Sequence, residues 1–318
     1  MQTLDHDVLH RLDTWLQRGE PAWLCTIVRT LGSSPRPVGS IVGIADSGEQ
    51  VGTVSGGCVE EDLLERVRAG EFNGSGPELI EYGLSAADNE RLGLPCGGRL
   101  TLLLQRLTGA DRQWIEAVLA ALEQRCCIQR SVDLASGETR VEPADRFNSL
   151  QLSQTRLVQC FGPRMRLLLV GAGQLAQSLS ELALAMDYEV LVTDPRAEFL
   201  ANWTGPQVEL LGGMPDDVIR ARASDRHSII ITLTHDPRID DMALMEALTT
   251  EAWYIGALGS AKTTAKRLQR LGQLELSPEQ IGRLHAPVGL PIGSKTPLEI
   301  AVAIMAELTQ LKRQAPAP

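Results

Sequence analysis

The stretch Arg166-Leu167-Leu168-Leu169-Val170-Gly171-Ala172-Gly173-Gln174-Leu175-Ala176 decides how the chain folds. A run of apolar residues enters a GxGxxA turn, and an amphipathic segment, Gln174 to Met186, leaves it. Alone the glycine pattern is weak. Here it has a strand before it, a helix after it, and an acid, Asp194, 23 positions beyond Gly171, at the end of the next strand, Glu189–Val192. That is the full context of a dinucleotide-binding βαβ unit. In such a unit Gly171 permits the tight turn, Gly173 lets backbone approach a pyrophosphate, and Ala176 allows close helix–strand packing. The helix start, from Gln174, offers unpaired amides and a positive dipole end. Asp194 is expected to accept from a ribose hydroxyl.

Outward from this turn the chain alternates. Strands are expected at Val208–Leu211, Ser228–Leu233 and Trp253–Gly256, with helices at Pro215–Ala223, Ile239–Leu248 and Ala261–Leu271. Ser277-Pro278-Glu279-Gln280 and Thr296-Pro297-Leu298-Glu299 open two more helices with proline at the first position. Such alternation implies a parallel sheet with helices on both faces. Upstream, helices are expected at Asp5–Arg18, Val59–Arg68 and Asp111–Arg125. Strands are expected at Ala22–Thr30, Ile41–Ile44, Gln50–Val54 and Arg99–Leu104, with a hairpin around Ser136-Gly137. Residues 142–165 are poorly periodic and read as a linker ending in a short edge strand. The fold class is therefore α/β. A small N-terminal α/β domain, 1–150, precedes a C-terminal Rossmann-like, doubly wound parallel-sheet domain, 151–318.

Length agrees, since 318 residues make two domains at roughly 150 each. Hydrophobic residues at 43% and charged residues at 22% exclude disorder, collagen and coiled coil as the main state. A net charge of −10 argues against a dominant nucleic-acid surface but leaves room for a local basic pocket. Only four of the 30 basic residues are lysines: Lys262, Lys266, Lys295 and Lys312. No apolar run reaches the roughly 18 residues of a membrane span. The N-terminus is amphipathic and acidic, unlike a signal peptide. Six cysteines without CxxC spacing read as reduced thiols of a cytoplasmic protein.

Several residues carry possible chemistry. His235 follows a strand at the carboxyl edge of the sheet and is either a base or a loop cap. His285, in a loop before proline, reads as structural, and His227 as exposed. In the first part, Gly56-Gly57 precede Cys58 and Gly97-Gly98 follow Cys96. Glycines this dense let amides reach an anion. The loop at Ser33-Ser34-Pro35-Arg36 adds hydroxyls and a guanidinium. Together they suggest a pocket for an anionic, sulfur-containing or soft-metal ligand. Cys58 sits at a helix start, which lowers a thiol pKa, while Glu60, Glu61 and Asp62 oppose that. The other reading of Cys58 and Cys96 is two small core residues beside turns. Cys25, Cys126 and Cys127 read as structural.

The segments GSSPRPVGS (32–40), VSGGCVEED (54–62), LPCGGRLTLLL (94–104), LLLVGAGQLAQ (167–177), VTDPR (192–196), THDPRIDD (234–241), YIGALGS (254–260) and RLHAPVGLPIGSKTPLEIAVAIMAEL (283–308) resemble the XdhC/CoxI family, in family order. Length and organisation look most like the branch that serves a periplasmic aldehyde oxidoreductase. The resemblance implies a chaperone rather than a metabolic enzyme. It would bind molybdenum cofactor, protect it during sulfuration and insert it into an apo-molybdoenzyme of the xanthine dehydrogenase class. In this branch the cofactor would be molybdopterin cytosine dinucleotide. The implied partners are the large subunit of the apo-molybdoenzyme, together with a cysteine desulfurase, a molybdopterin cytidylyltransferase and a second copy of the chain. The family's Gly-Gly-Cys falls on Gly56, Gly57 and Cys58. Its Cys-Gly-Gly falls on Cys96, Gly97 and Gly98, its Rossmann glycines on Gly171 and Gly173, and its acid on Asp194. Cys96 first, and Cys58 second, are the candidates for molybdenum or persulfide contact. Gln174 and Pro237 stand where the family has histidines. Ser34, Arg36 and His235 complete the expected cofactor site. An NAD(P)-dependent oxidoreductase and a purely structural assembly partner are the two other function classes. Hydride transfer and co-purified pterin, respectively, discriminate them.

Overall fold

A computed structural model describes residues 3–32, 36–72, 76–84 and 98–314. The chain forms two compact units, Met1–Pro163 and Arg164–Pro318.

In the first unit, α1 (Thr3–Gln17), α2 (Cys58–Arg68) and α3 (Arg112–Glu123) pack on an antiparallel sheet. Its strands are β1 (Ala22–Leu31), β2 (Ile41–Ala45), β3 (Gln50–Gly52), β4 (Glu78–Tyr82) and β5 (Arg99–Leu107), in the order β3-β2-β1-β5-β4. Successive side chains of β1 face opposite ways. Ala22 and Leu24 pack with α1 and α3, while Trp23, Cys25 and Ile27 pack with α2. A second antiparallel sheet has the order β7-β6-β9-β8, from β6 (Cys127–Asp133), β7 (Thr139–Ala144), β8 (Gln151–Leu152) and β9 (Arg156–Phe161).

This second sheet replaces the expected linker. β9 is not an edge strand, because it pairs with both β6 and β8. Residues 151–161 thus stay with the first unit, and the division falls after Pro163 rather than near residue 150. The anchor is apolar: Leu157 and Phe161 of β9 are buried with Val132 and Ile128 of β6.

The second unit is a six-stranded parallel sheet of order β12-β11-β10-β13-β14-β15. Its strands are β10 (Arg166–Val170), β11 (Glu189–Thr193), β12 (Glu209–Leu211), β13 (Ser228–Thr232), β14 (Tyr254–Ala257) and β15 (Leu284–His285). Its helices are α4 (Gln174–Ala185), α5 (Ala197–Ala201), α6 (Pro215–Arg222), α7 (Pro237–Ala247), α8 (Ala261–Leu271), α9 (Pro278–Gly282) and α10 (Pro297–Gln314). Leu167 and Leu169 pack with α4 and α10 on one face, and Leu168 and Val170 with α6 and α7 on the other. All four are fully buried, each contributing roughly 1.5–3 kcal/mol. Burial on both faces explains why β10 reads as continuously apolar rather than alternating. The order reverses between β10 and β13, and there the carboxyl ends of the strands leave a crevice.

Candidate functional site

The glycine turn occupies that crevice, and its two glycines differ in kind. Gly171 has φ +115°, and a Cβ there would stand 2.9 Å from Thr234 Cγ2 and 3.2 Å from Thr234 N. Its amide donates to Thr193 O at 2.7 Å. Gly171 is therefore glycine for structural reasons. Gly173 has φ −86° and ψ −175°, which any residue adopts, and a Cβ there would meet nothing within 4 Å. Neither strain nor packing accounts for glycine at 173. Gly173 also starts α4 without a side-chain cap, so the first-turn amides face outward. Gln174 is exposed at the first helical position, and Ala176 is fully buried against the sheet.

Asp194 departs from expectation. It is fully buried at the end of β11. Its Oδ2 accepts from Ala172 N at 2.9 Å and Arg196 Nη2 at 2.8 Å. Its Oδ1 accepts from Arg196 N at 3.0 Å and Arg196 Nε at 2.8 Å. Burial pushes the carboxyl up, but the bonds from Arg196 and Ala172 outweigh it and hold the group below its ordinary value. Four donors fill the carboxylate's acceptor sites. Asp194 thereby ties the glycine turn to Arg196, whose guanidinium lies 3.8 Å from the Phe199 ring centroid.

The Gly56-Gly57-Cys58 loop also differs from expectation. Its amides are directed at an anion, but the anion is the protein's own Glu60. Glu60 is 2% exposed, and its Oε1 accepts from Val54 N at 2.7 Å and Ser55 N at 3.0 Å. Gly57 N donates to Oε2 at 3.1 Å, and the hydroxyls of Thr53 and Ser55 also donate to this carboxylate. Burial opposes ionisation, yet the bonds from Ser55, Thr53 and Val54 prevail and bring the carboxyl down to about 2. Glu60 is the third residue of α2, so the Gly57 contact is half of a capping box. Cys58, the first residue of that helix, is exposed.

Other expected positions scatter. Ser34, Cys96 and Gly97 lie outside the described residues. Gly98 is buried just before β5, and Arg36 is half-buried. His235 is exposed with φ +63° and borders a cleft beside α8. The loop cap is Asp236 instead, which accepts from Arg238 N at 2.9 Å and starts α7. His227 is buried rather than exposed, next to the first residue of β13. His285 is structural, with Nδ1 2.9 Å from Glu307 Oε1 and its ring stacked 4.3 Å from Tyr254. Among the described residues no group of three or more His, Cys, Asp or Glu could hold a metal ion. Among them, too, no helix is long and apolar enough to cross a membrane. Cys25 is fully buried core, whereas Cys126 is exposed and Cys127 buried. The sequence reading missed Glu60 as the loop's anion. Its signal was the spacing Gly57-x-x-Glu60, a carboxylate three residues after a helix start.

A six-stranded parallel sheet with a glycine turn at its switch point, following an antiparallel unit in the sequence, is a Rossmann-type fold. The chain belongs to the XdhC and CoxI family: residues 15–83 match that family, and residues 167–308 match its XdhC Rossmann domain. It is 30% identical to the "Molybdenum cofactor insertion chaperone PaoD" of Escherichia coli over 93% of this chain and 85% of that one. It is 28% identical to a probable xanthine dehydrogenase subunit of Bacillus subtilis, over 95% and 97% of the two chains. A crystal structure described as a xanthine dehydrogenase from Bacillus halodurans superposes with a TM-score of 0.74 at 27% identity, covering 96% of each chain.

Proposed function

We propose that this chain is a molybdenum cofactor chaperone. It holds a nucleotide-bearing form of the cofactor, molybdopterin cytosine dinucleotide, while the metal is sulfurated, and delivers it to an apo-molybdoenzyme of the xanthine dehydrogenase and aldehyde oxidoreductase class. The observation that carries this is Gly173, a glycine demanded by neither its backbone angles nor its neighbours, at an uncapped helix start. Close approach of a phosphate is what such a position permits. The likeness to the PaoD chaperone supports molybdenum cofactor as the ligand.

The chain's own groups divide the work. The amides from Gly173 onward receive phosphate, Ala176 keeps α4 close to the sheet, and Asp194 fixes the turn through Ala172. Cys58, exposed at the start of α2, and Cys96 are the thiols for molybdenum or persulfide contact. The bound cofactor would supply the metal centre that the target enzyme uses. A cysteine desulfurase, a molybdopterin cytidylyltransferase and a second copy of this chain are the further partners in this reading.

The test is pterin and nucleotide analysis of the full chain, purified from cells that make the dinucleotide cofactor. Pterin and cytidine nucleotide are expected in equal amounts, and Gly173→Asp is expected to lose both while remaining folded. A wild-type chain free of pterin overturns the reading. Cys96→Ser is expected to leave the target enzyme under-sulfurated until chemical resulfuration; full activity without that treatment removes Cys96 from the site.

A further inference from the structure

Beyond the carboxyl ends of β13 and β14 lies a cleft of about 490 Å³, bordered by His235, Ser260, Lys262, Thr263, Lys266 and Arg267. The charges around it do not cancel. Asp240 is taken by Arg267 at 2.9 Å, Asp241 by Arg270 at 3.0 Å, and Asp236 by Arg238 at 2.8 Å. These three pairs leave Lys262 and Lys266, both exposed and without an ion pair among the described residues. They stand one helical turn apart on the same face of α8. A chain with four lysines and a net charge of −10 places two of the four here.

Two further features point the same way. The Ser260 side chain caps α8 by accepting from Thr263 N at 3.2 Å, leaving the Ala261 and Lys262 amides at the mouth without an intrahelical acceptor. Thr263 adds a hydroxyl. Compact ammonium groups, a hydroxyl and a positive helix end suit a phosphate group, and the cleft's described lining holds no carboxylate. The cleft is also tied to the glycine turn. Thr234 packs on Gly171 and donates through Oγ1 to Asp240 Oδ1 at 2.7 Å, and Asp240 holds Arg267.

We infer that this cleft is a second anion subsite, taking a phosphate or pyrophosphate group, so that the ligand is held at two anionic points on either side of the switch point. The identity of the ligand rests on the reading above; the charge of the subsite does not. The test titrates the full chain by calorimetry with inorganic pyrophosphate and, separately, with cytidine diphosphate. Lys262→Ala combined with Lys266→Ala, both exposed, is expected to weaken pyrophosphate binding about tenfold, or about 1.4 kcal/mol, and to flatten its salt dependence. In a Gly173→Asp background, which removes the glycine-turn phosphate site, the same lysine pair is expected to account for the pyrophosphate binding that remains. A gain for cytidine diphosphate over pyrophosphate assigns the cleft to a nucleotide rather than to free phosphate. Equal pyrophosphate affinity in wild type and double variant overturns the inference, as does a wild type that pyrophosphate does not saturate. Pterin co-purification reads a separate quantity, so the chaperone reading and the lysine subsite fail independently.

Discussion

Arg267 Nη2 lies 2.9 Å from Asp240 Oδ2, with the two side chains 3% and 1% exposed. Asp240 also accepts from Thr234 N at 3.2 Å, and Arg267 Nη1 donates to Leu258 O at 3.0 Å. One buried pair thus joins the loop after β13, the end of β14 and α8. Burial raises the Asp240 carboxyl above its ordinary value, although the Thr234 bonds and the Arg267 charge oppose this. Asp240→Ala is expected to cost about 3–5 kcal/mol by stranding a buried guanidinium. Replacing both residues with leucine is expected to recover much of that loss. The shift of the urea midpoint measures both, and a double variant as unstable as the single one contradicts this account.

Glu60 gives the opposite pH signature. Folded, its carboxyl is held at about 2, against an ordinary value of 4.5. As pH falls, the unfolded chain takes up this proton first. The stabilisation is complete above about 4.5 and disappears as pH drops towards about 2. Glu60→Gln is expected to cost about 2–3 kcal/mol at neutral pH, and the gap from wild type should close below pH 4.5. Stability curves that stay parallel down to acid pH would sink the assignment.

The two Rossmann glycines separate fold from binding. Gly171→Ala forces a Cβ against Thr234 at a positive φ, costing about 1–3 kcal/mol. Gly173→Ala meets open space and should stay within about 0.5 kcal/mol of wild type. Retained pterin should nevertheless fall in Gly173→Ala. Equal thermal shifts for the two variants would show that Gly173 is structural after all.

Glu307 of α10 accepts from Tyr254 Oη at 2.8 Å, His285 Nδ1 at 2.9 Å and Gly289 N at 2.6 Å. Burial opposes its ionisation, but these bonds outweigh it and keep the carboxyl below its ordinary value. Glu307→Gln is expected to speed hydrogen exchange of the Gly289 amide about tenfold, from the loss of roughly 1–2 kcal/mol. Unchanged exchange at Gly289 would show that the loop is held by other contacts.

The parallel sheet was legible because the middles of β10, β11 and β13 (167–170, 190–192 and 229–231) are buried on both faces and uniformly apolar. The short strand β15 has two residues and no pattern to show. β4 alternates in burial, with Ile80 and Tyr82 inside and Leu79 and Glu81 outside, but Leu79 beside Ile80 breaks that alternation in the sequence. The end of β7 and all of β8 are half-exposed, so their polar residues read as a linker, whereas the turn at Ser136-Gly137 showed the hairpin that opens β7. At the site, Gly171 and Gly173 were legible as a pair, whereas only three dimensions tell their roles apart. Glu60, Glu61 and Asp62 look equivalent in sequence; only Glu60 curls back into the loop. The Arg196 that occupies Asp194 stands two residues away, too close for spacing to show which way it turns.

The Glu60 carboxylate has one more consequence. A cell is full of inorganic phosphate, sulfate and nucleotides, and a bare ring of amides would collect them indiscriminately. With its counter-charge built into the chain, the Thr53–Gly57 loop is self-filled. Any outside anion must first evict a tethered competitor whose effective concentration never dilutes. Neutralising that single side chain would turn a private contact into a public trap.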